Sequence, residues 1–90
     1  MLTRKQALQR FRADLQMQDL STHTRQSYIN HVKEFLEFCN RPIEKVDEMD
    51  IRQFLGTLIV EKKLSEKTVK AAYAAIRIFF TVTLKRPIKR

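Results

Sequence analysis

Apolar side chains recur at three- and four-residue intervals along nearly the whole chain, the spacing of amphipathic helices rather than strands. Leu8, Phe11 and Leu15 form the first stripe and predict a helix over residues 4–18. Thr3 can cap it, with Gln6 three residues later completing a capping box. Tyr28, Val32, Phe35, Leu36 and Cys39 form the second stripe, in a helix opened by Ser21 or Thr22. Asn40-Arg41-Pro42 stops that helix, because the residue before a proline disfavours helical dihedrals. Ile51, Phe54, Leu55 and Leu58 predict a third helix over residues 48–62, capped by Asp47 with Asp50 in its first turn. The fourth starts at Ser65 and runs to about Thr83, with Val69, Ala72, Tyr73, Ile76, Phe79 and Phe80 inward. Gly56, mid-helix, costs about 1 kcal/mol relative to alanine. It either allows a close helix crossing or is tolerated.

Four helices with short joints predict an all-α fold, a compact bundle of four helices. Composition agrees: one glycine and two prolines in 90 residues exclude a turn-rich β protein. Ninety residues suit a single domain. No apolar run approaches the roughly 20 residues of a membrane span, and no secretory signal is present, so no membrane partner is expected. The single cysteine, Cys39, cannot form an internal disulfide, which fits a reducing, cytoplasmic location. Residues 85–90 lack periodicity and read as a basic tail or the start of a linker, leaving 1–84 as the helical domain.

Charge changes the picture from fold to partner. The chain carries 18 Lys and Arg against 10 Asp and Glu, a formal charge of +8. Residues 1–12 hold four basic side chains and no acid, residues 13–39 and 40–61 each sum to −2, and residues 62–90 supply +8. Two basic ends flanking an acidic middle point to a polyanion. On the fourth helix Lys67, Lys70, Ala74, Arg77 and Thr81 share the side away from the core stripe. A basic strip interrupted by small residues suits a helix lying in the major groove. Ile78, on the same side, contacts a thymine methyl, packs on another domain, or is simply an exposed aliphatic. Lys62 and Lys63, just before the helix, are placed to meet phosphates. Thr24, Arg25 and Lys33 make a second contribution from the second helix, Lys33 projecting beside Gln26 and Asn30. The second and fourth helices open alike, Ser21 with Thr24 and Ser65 with Thr68, and helix N-termini attract anions.

Catalytic chemistry finds no scaffold. His23 and His31 lack further ligands at metal spacing, and Cys39 lies on the core stripe without an activating partner. No glycine-rich phosphate loop exists. No cofactor, metal or small-molecule substrate is expected, and the chain by itself is not expected to be an enzyme.

At these residues the sequence resembles a known family. Leu20 to Phe38, LSTHTRQSYINHVKEFLEF, is similar to the opening of the SAM-like core-binding domain of tyrosine recombinases and phage integrases, with Leu20, Ser21, Thr24, Tyr28, Phe35, Leu36 and Phe38 in matching places. Asp47 to Leu58, DEMDIRQFLGTL, and Leu64 to Phe80, LSEKTVKAAYAAIRIFF, match its later elements, including Ile76, Arg77, Phe79 and Phe80. The resemblance implies a domain that clamps one face of duplex DNA at a recombination half-site. A separate carboxy-terminal domain would supply the nucleophilic tyrosine. The contacts implied lie around Thr24, Arg25 and Lys33, then Lys67, Lys70 and Arg77. The full-length parent is then a recombinase assembling as a multimer on DNA, with the isolated domain monomeric. Many relatives place an arginine after the tyrosine, whereas this chain has Ile29, so the fourth helix carries the stronger claim. Tyr28 and Tyr73 sit on core stripes and are not the nucleophile. Two other readings compete: a self-standing helical DNA-binding regulator or accessory protein, and a protein-interaction module with incidental charge.

Overall fold

Each helix start leaves backbone N–H groups without intrahelical partners, and each α-helix here meets that need with the residue just before it. In the computed structural model, which describes residues 2–86, Thr3 opens α1 (Arg4–Gln16) and Ser21 opens α2 (Thr22–Cys39). Asp47 opens α3 (Glu48–Val60) and Ser65 opens α4 (Glu66–Ile78). Thr3 and Gln6 form the expected reciprocal box, the hydroxyl accepting from Gln6 N–H at 3.1 Å and Gln6 Oε1 from Thr3 N–H at 3.0 Å. Asp47 and Asp50 repeat it at α3. The buried Asp50 carboxylate also pairs with Arg41, whose guanidinium donates to Lys45 O at 2.7 Å and so pins the α2–α3 connection.

The helix ends differ from the sequence pattern. α1 stops at Gln16 and α3 at Val60, each two residues early, because apolar periodicity outlasts the hydrogen-bond ladder. After α1 the chain tightens, Met17 N–H bonding Asp14 O at 3.1 Å and Gln18 N–H bonding Leu15 O at 3.0 Å. After α3, Lys63 takes a left-handed φ of 51°, and Leu64 N–H reaches back to Leu58 O at 3.1 Å. The fourth helix does not run on as α-helix to Thr83. Its last turn, Phe79–Thr83, widens into a π-helix closed by Leu84 N–H to Phe79 O at 3.0 Å. A short 3-10 turn at Ile43–Lys45, absent from the sequence reading, buries Ile43 and is followed by buried Val46.

α4 packs on α2 and α3, and its π-turn reaches α1. The phenylalanines trace how one core joins the elements. Phe11 of α1 meets Phe79 edge-on at 5.5 Å, Phe79 meets Phe80, and Phe80 meets Phe35 of α2 at 6.2 Å. Phe35 and Phe38 both meet Phe54 of α3 at 5.5 Å. Each such pair adds about 0.5–1.5 kcal/mol beyond its buried area. The π-turn places the neighbouring rings of Phe79 and Phe80 in the core, one toward α1 and one toward α2.

The buried stripes correct several expected positions. Ile29, not Tyr28, is buried on α2, while Tyr28 and Cys39 are half-buried at its margin. Ala7 and Ala75 are fully buried, and Leu8, Leu55, Val69 and Tyr73 pack at the edge. Alanine carries little hydrophobic signal, so buried alanines escape a search for large apolar residues. Ile78 is partly buried and packs against the core, so it is not simply an exposed aliphatic. A Cβ added at Gly56 would meet nothing within 4 Å, so no close crossing explains that glycine among the described residues.

Candidate nucleic-acid interface

α4 is pinned by its inner stripe, so its opposite side must face solvent. Lys67, Lys70 and Arg77 are all exposed there, with Thr81 beyond them and the half-buried Ala71 and Ala74 between. Thr81 Oγ1 donates to Arg77 O at 2.8 Å, so it points along the helix. One contact tempers the strip: Lys70 Nζ lies 3.1 Å from Glu66, an exposed i,i+4 pair worth only about 0.3–0.5 kcal/mol. Glu66 is therefore an acidic group at the edge of the basic face.

Lys62 and Lys63 are exposed in the turn that leads into α4. Lys63 holds its left-handed backbone without being glycine or asparagine, a conformation costing a non-glycine residue about 1–2 kcal/mol.

The second-helix candidates are not brought together. Thr24 lies on the side of α2 that carries His31 one heptad later, and that side meets α3 through Phe35 and Phe38. Lys33 lies on the other side, in a groove with Arg4, Lys5 and Leu8 of α1 and with Leu36 and Glu37. Arg25 is half-buried and its guanidinium donates to Thr22 Oγ1 at 3.3 Å. Gln26 and Asn30 are occupied with each other, Gln26 Nε2 donating to Asn30 Oδ1 at 3.2 Å. One duplex surface along α2 therefore meets Thr24 or Lys33, not both.

The two matching helix starts are matched in detail. Thr24 N–H bonds Ser21 Oγ at 3.1 Å and the two hydroxyls lie 2.9 Å apart. Thr68 N–H bonds Ser65 Oγ at 3.3 Å, with hydroxyls 3.0 Å apart. Each serine spends its acceptor on its own helix, so capping accounts for these hydroxyls.

Two titratable groups depart from ordinary behaviour. Burial lowers the His31 pKa, with Glu34 opposing the shift. Burial, reinforced by the negative charge of Asp50, pushes the Cys39 thiol up to about 12, leaving no reactive thiolate near neutrality. Among the described residues no cluster of three or more His, Cys, Asp or Glu side chains is arranged to hold a metal ion. No described helix is long and apolar enough to cross a membrane.

Arg86 is the residue that the sequence reading missed. The segment from Lys85 reads as a tail, yet the Arg86 guanidinium donates to Ile43 O at 3.0 Å and to Val46 O, and stacks 5.2 Å above the Phe80 ring. Its backbone N–H bonds Phe80 O at 2.8 Å. Arg86 is thus anchored to the bundle; residues 87–90 lie outside the described residues.

Comparison with known proteins agrees with this architecture. The family model described as the phage integrase N-terminal SAM-like domain matches residues 7–90. A putative integrase/recombinase, y4qK, of Sinorhizobium fredii (strain NBRC 101917 / NGR234) is 36% identical over 78 residues, covering 87% of this chain. The crystal structure of XerA recombinase superposes with a TM-score of 0.84 at 26% identity, over 94% of this chain. The chain spans 25% of the length of the first and 30% of the second.

Proposed function

Because the chain belongs to the phage-integrase family of N-terminal SAM-like domains, we propose that it grips duplex DNA for a tyrosine-type site-specific recombinase. It positions the duplex while a separate domain cleaves and rejoins strands. The observation that carries this reading is the exposed basic side of α4, where Lys67, Lys70 and Arg77 stand beside small residues that let a nucleic-acid backbone approach. Lys62 and Lys63 extend the positive charge toward phosphates. Thr24 joins from α2, while Arg25 and Lys33 contribute charge from its end and its far side. Residues 1–84 form the gripping unit, and the basic segment from Lys85 leads toward the catalytic part of the parent. That parent works as a multimer on DNA in the cytoplasm; this domain alone is a monomer at ordinary concentrations. No cofactor takes part in the grip.

The chain itself does not cut DNA. Tyr28 and Tyr73 are half-buried against the core.

A salt titration of duplex binding tests the reading. Neutralising one phosphate releases counterions with a slope of about −0.9 in log K against log salt. Three contacts from Lys67, Lys70 and Arg77 alone require a slope of about −3 or steeper. Binding indifferent to salt overturns the proposal, and reproducible strand cleavage by the pure chain overturns the non-catalytic assignment.

A further inference from the structure

α1 and α2 pack against each other and leave a groove of about 360 Å³ along one seam. Its floor is aliphatic, with Leu8 half-buried on α1 and Leu36 almost fully buried on α2. Its rim is basic: Arg4 and Lys5 stand exposed on α1 and Lys33 on α2, with Glu37 as the one acid. The methylene stems of such long side chains add apolar wall below their charged ends. Arg4 reaches Leu36 O and Asn40 Oδ1 only at 3.4 Å each, so its guanidinium is loosely held. Ion pairing elsewhere, Arg41 with Asp50 and Lys70 with Glu66, leaves Arg4, Lys5 and Lys33 without a carboxylate partner among the described residues. Residues 1–12, which supply two of these three cations, hold no acid at all.

We propose that this groove seats an acidic, amphipathic peptide segment of a partner protein. One aliphatic side chain rests over Leu8 and Leu36, between carboxylates that meet Arg4, Lys5 and Lys33. Two features select that occupant. Three cations without internal partners call for an anion, and a guanidinium suits a carboxylate. The aliphatic floor calls for an apolar side chain, which a phosphate backbone does not carry. The basic side of α4 shows the difference: there the small Ala71 and Ala74 lie between the cations, as suits a backbone lying across them. The depression on the Thr24 side of α2, lined by His23, Gln26, Ser27, Asn30, His31 and Glu34, offers no aliphatic floor. Size sets the strength. The groove lies near the low end of the roughly 300–1,000 Å³ of ligand pockets, so it takes a side chain or two and binds modestly. Lys33 and Thr24 lie on opposite sides of α2, so a duplex along the Thr24 side leaves the groove open. Seating a peptide here does not depend on the proposed function.

The test titrates the 90-residue chain with a short peptide of Asp and Glu around a central leucine, followed by backbone amide NMR. The expected result is saturable shifts centred on Arg4, Lys5, Leu8, Lys33 and Glu37. Exchanging the peptide's leucine for alanine should weaken binding about five- to tenfold, the share of the apolar floor. Added salt should weaken binding without abolishing it, since salt screens the rim but not the floor. Lys5→Glu with Lys33→Glu, both at exposed positions, should weaken it by about tenfold or more without altering helicity, and Glu37→Lys should strengthen it about two- to three-fold. No shifts, or shifts centred on Lys67, Lys70 and Arg77, overturn the proposal. Equal binding of the leucine and alanine peptides overturns it too, as does duplex DNA that shifts Lys5 and Leu8 as the peptide does. A chain that seats the peptide yet ignores duplex DNA retains this inference and overturns the functional one; a chain that grips duplex and ignores the peptide does the reverse.

Discussion

α3 and α4 are neighbouring helices of the same length, each opened by a side-chain cap, Asp47 and Ser65, and packed on one aromatic core. Their inner sides are built alike. Their outer sides share nothing: Met49, Gly56, Ile59 and Val60 on one, Lys67, Lys70, Ala74 and Arg77 on the other. Folding explains the inner stripes and is indifferent to the outer ones, since exposed substitutions usually change stability by less than about 0.5 kcal/mol. The contrast between the outer faces is therefore information about partners, and each face can be altered without disturbing the other.

The largest expected effect comes from stripping one face. Lys67→Ala, Lys70→Ala and Arg77→Ala together should lower duplex affinity by about a hundredfold or more near physiological salt and flatten the salt slope by about 3. Helicity and thermal midpoint should hold. The matched control, Met49→Ala with Ile59→Ala and Val60→Ala, should leave duplex binding unchanged. Fluorescence anisotropy across a salt series reads both, and equal losses from the two sets would dissolve the contrast between the faces.

The turn between the helices sharpens the point. Lys63→Gly removes a charge and relieves a left-handed backbone, so stability should rise by up to about 1 kcal/mol while duplex affinity falls a few-fold. Opposite signs in a melting curve and a binding isotherm show a residue kept for its charge. Gains or losses in both would make Lys63 merely a helix terminator. On α3, Gly56→Ala should raise the stability of the monomer by about 0.5–1 kcal/mol, since the added methyl meets nothing within 4 Å. A smaller effect belongs to Glu66→Gln, which frees Lys70 from its 3.1 Å pair and removes the acid bordering the basic face. Duplex affinity should rise two- to three-fold with little change in stability.

Most of the fold was legible because its signals are local. Thr3 with Gln6 and Asp47 with Asp50 are read directly as caps, and phenylalanines at helical spacing identify their own inner sides. What escaped depends on distant partners. Arg86 looks like any basic tail residue until Ile43, Val46 and Phe80 are beside it. The π-turn at Phe79–Thr83 holds two adjacent rings against different helices, Phe79 on α1 and Phe80 on α2, which periodicity cannot express. On the candidate interface, the α4 strip could be read from one helix, whereas the separation of Thr24 from Lys33 needed α1 and α3 in place. Ile29 shows the same limit. It follows Tyr28 at the place where the family resemblance leads one to expect an arginine, yet it is buried, so that position of α2 serves the core.

His31 supplies the smallest effect and decides which face α2 resembles. It shares a side of α2 with Thr24, in a shallow depression lined by His23, Gln26, Ser27, Asn30 and Glu34. Its folded pKa is lowered by burial, with Glu34 pulling the other way. Below about pH 6.5, the ordinary histidine value, the unfolded chain therefore takes up a proton that the folded chain resists. The His31 contribution to stability is thus complete above that pH and is lost as pH falls through the folded value. His31→Gln should remove this part of the acid slope in a pH series of melting curves. Duplex binding reads the geometry independently. If DNA lies along the Thr24 side, its phosphates favour the imidazolium, and affinity should rise as pH drops below 6.5 in the parent chain but not in His31→Gln. If the duplex follows the Lys33 side instead, the two proteins should show the same pH dependence. In that case Thr24 leaves the interface, and the second helix contributes through the groove it shares with α1.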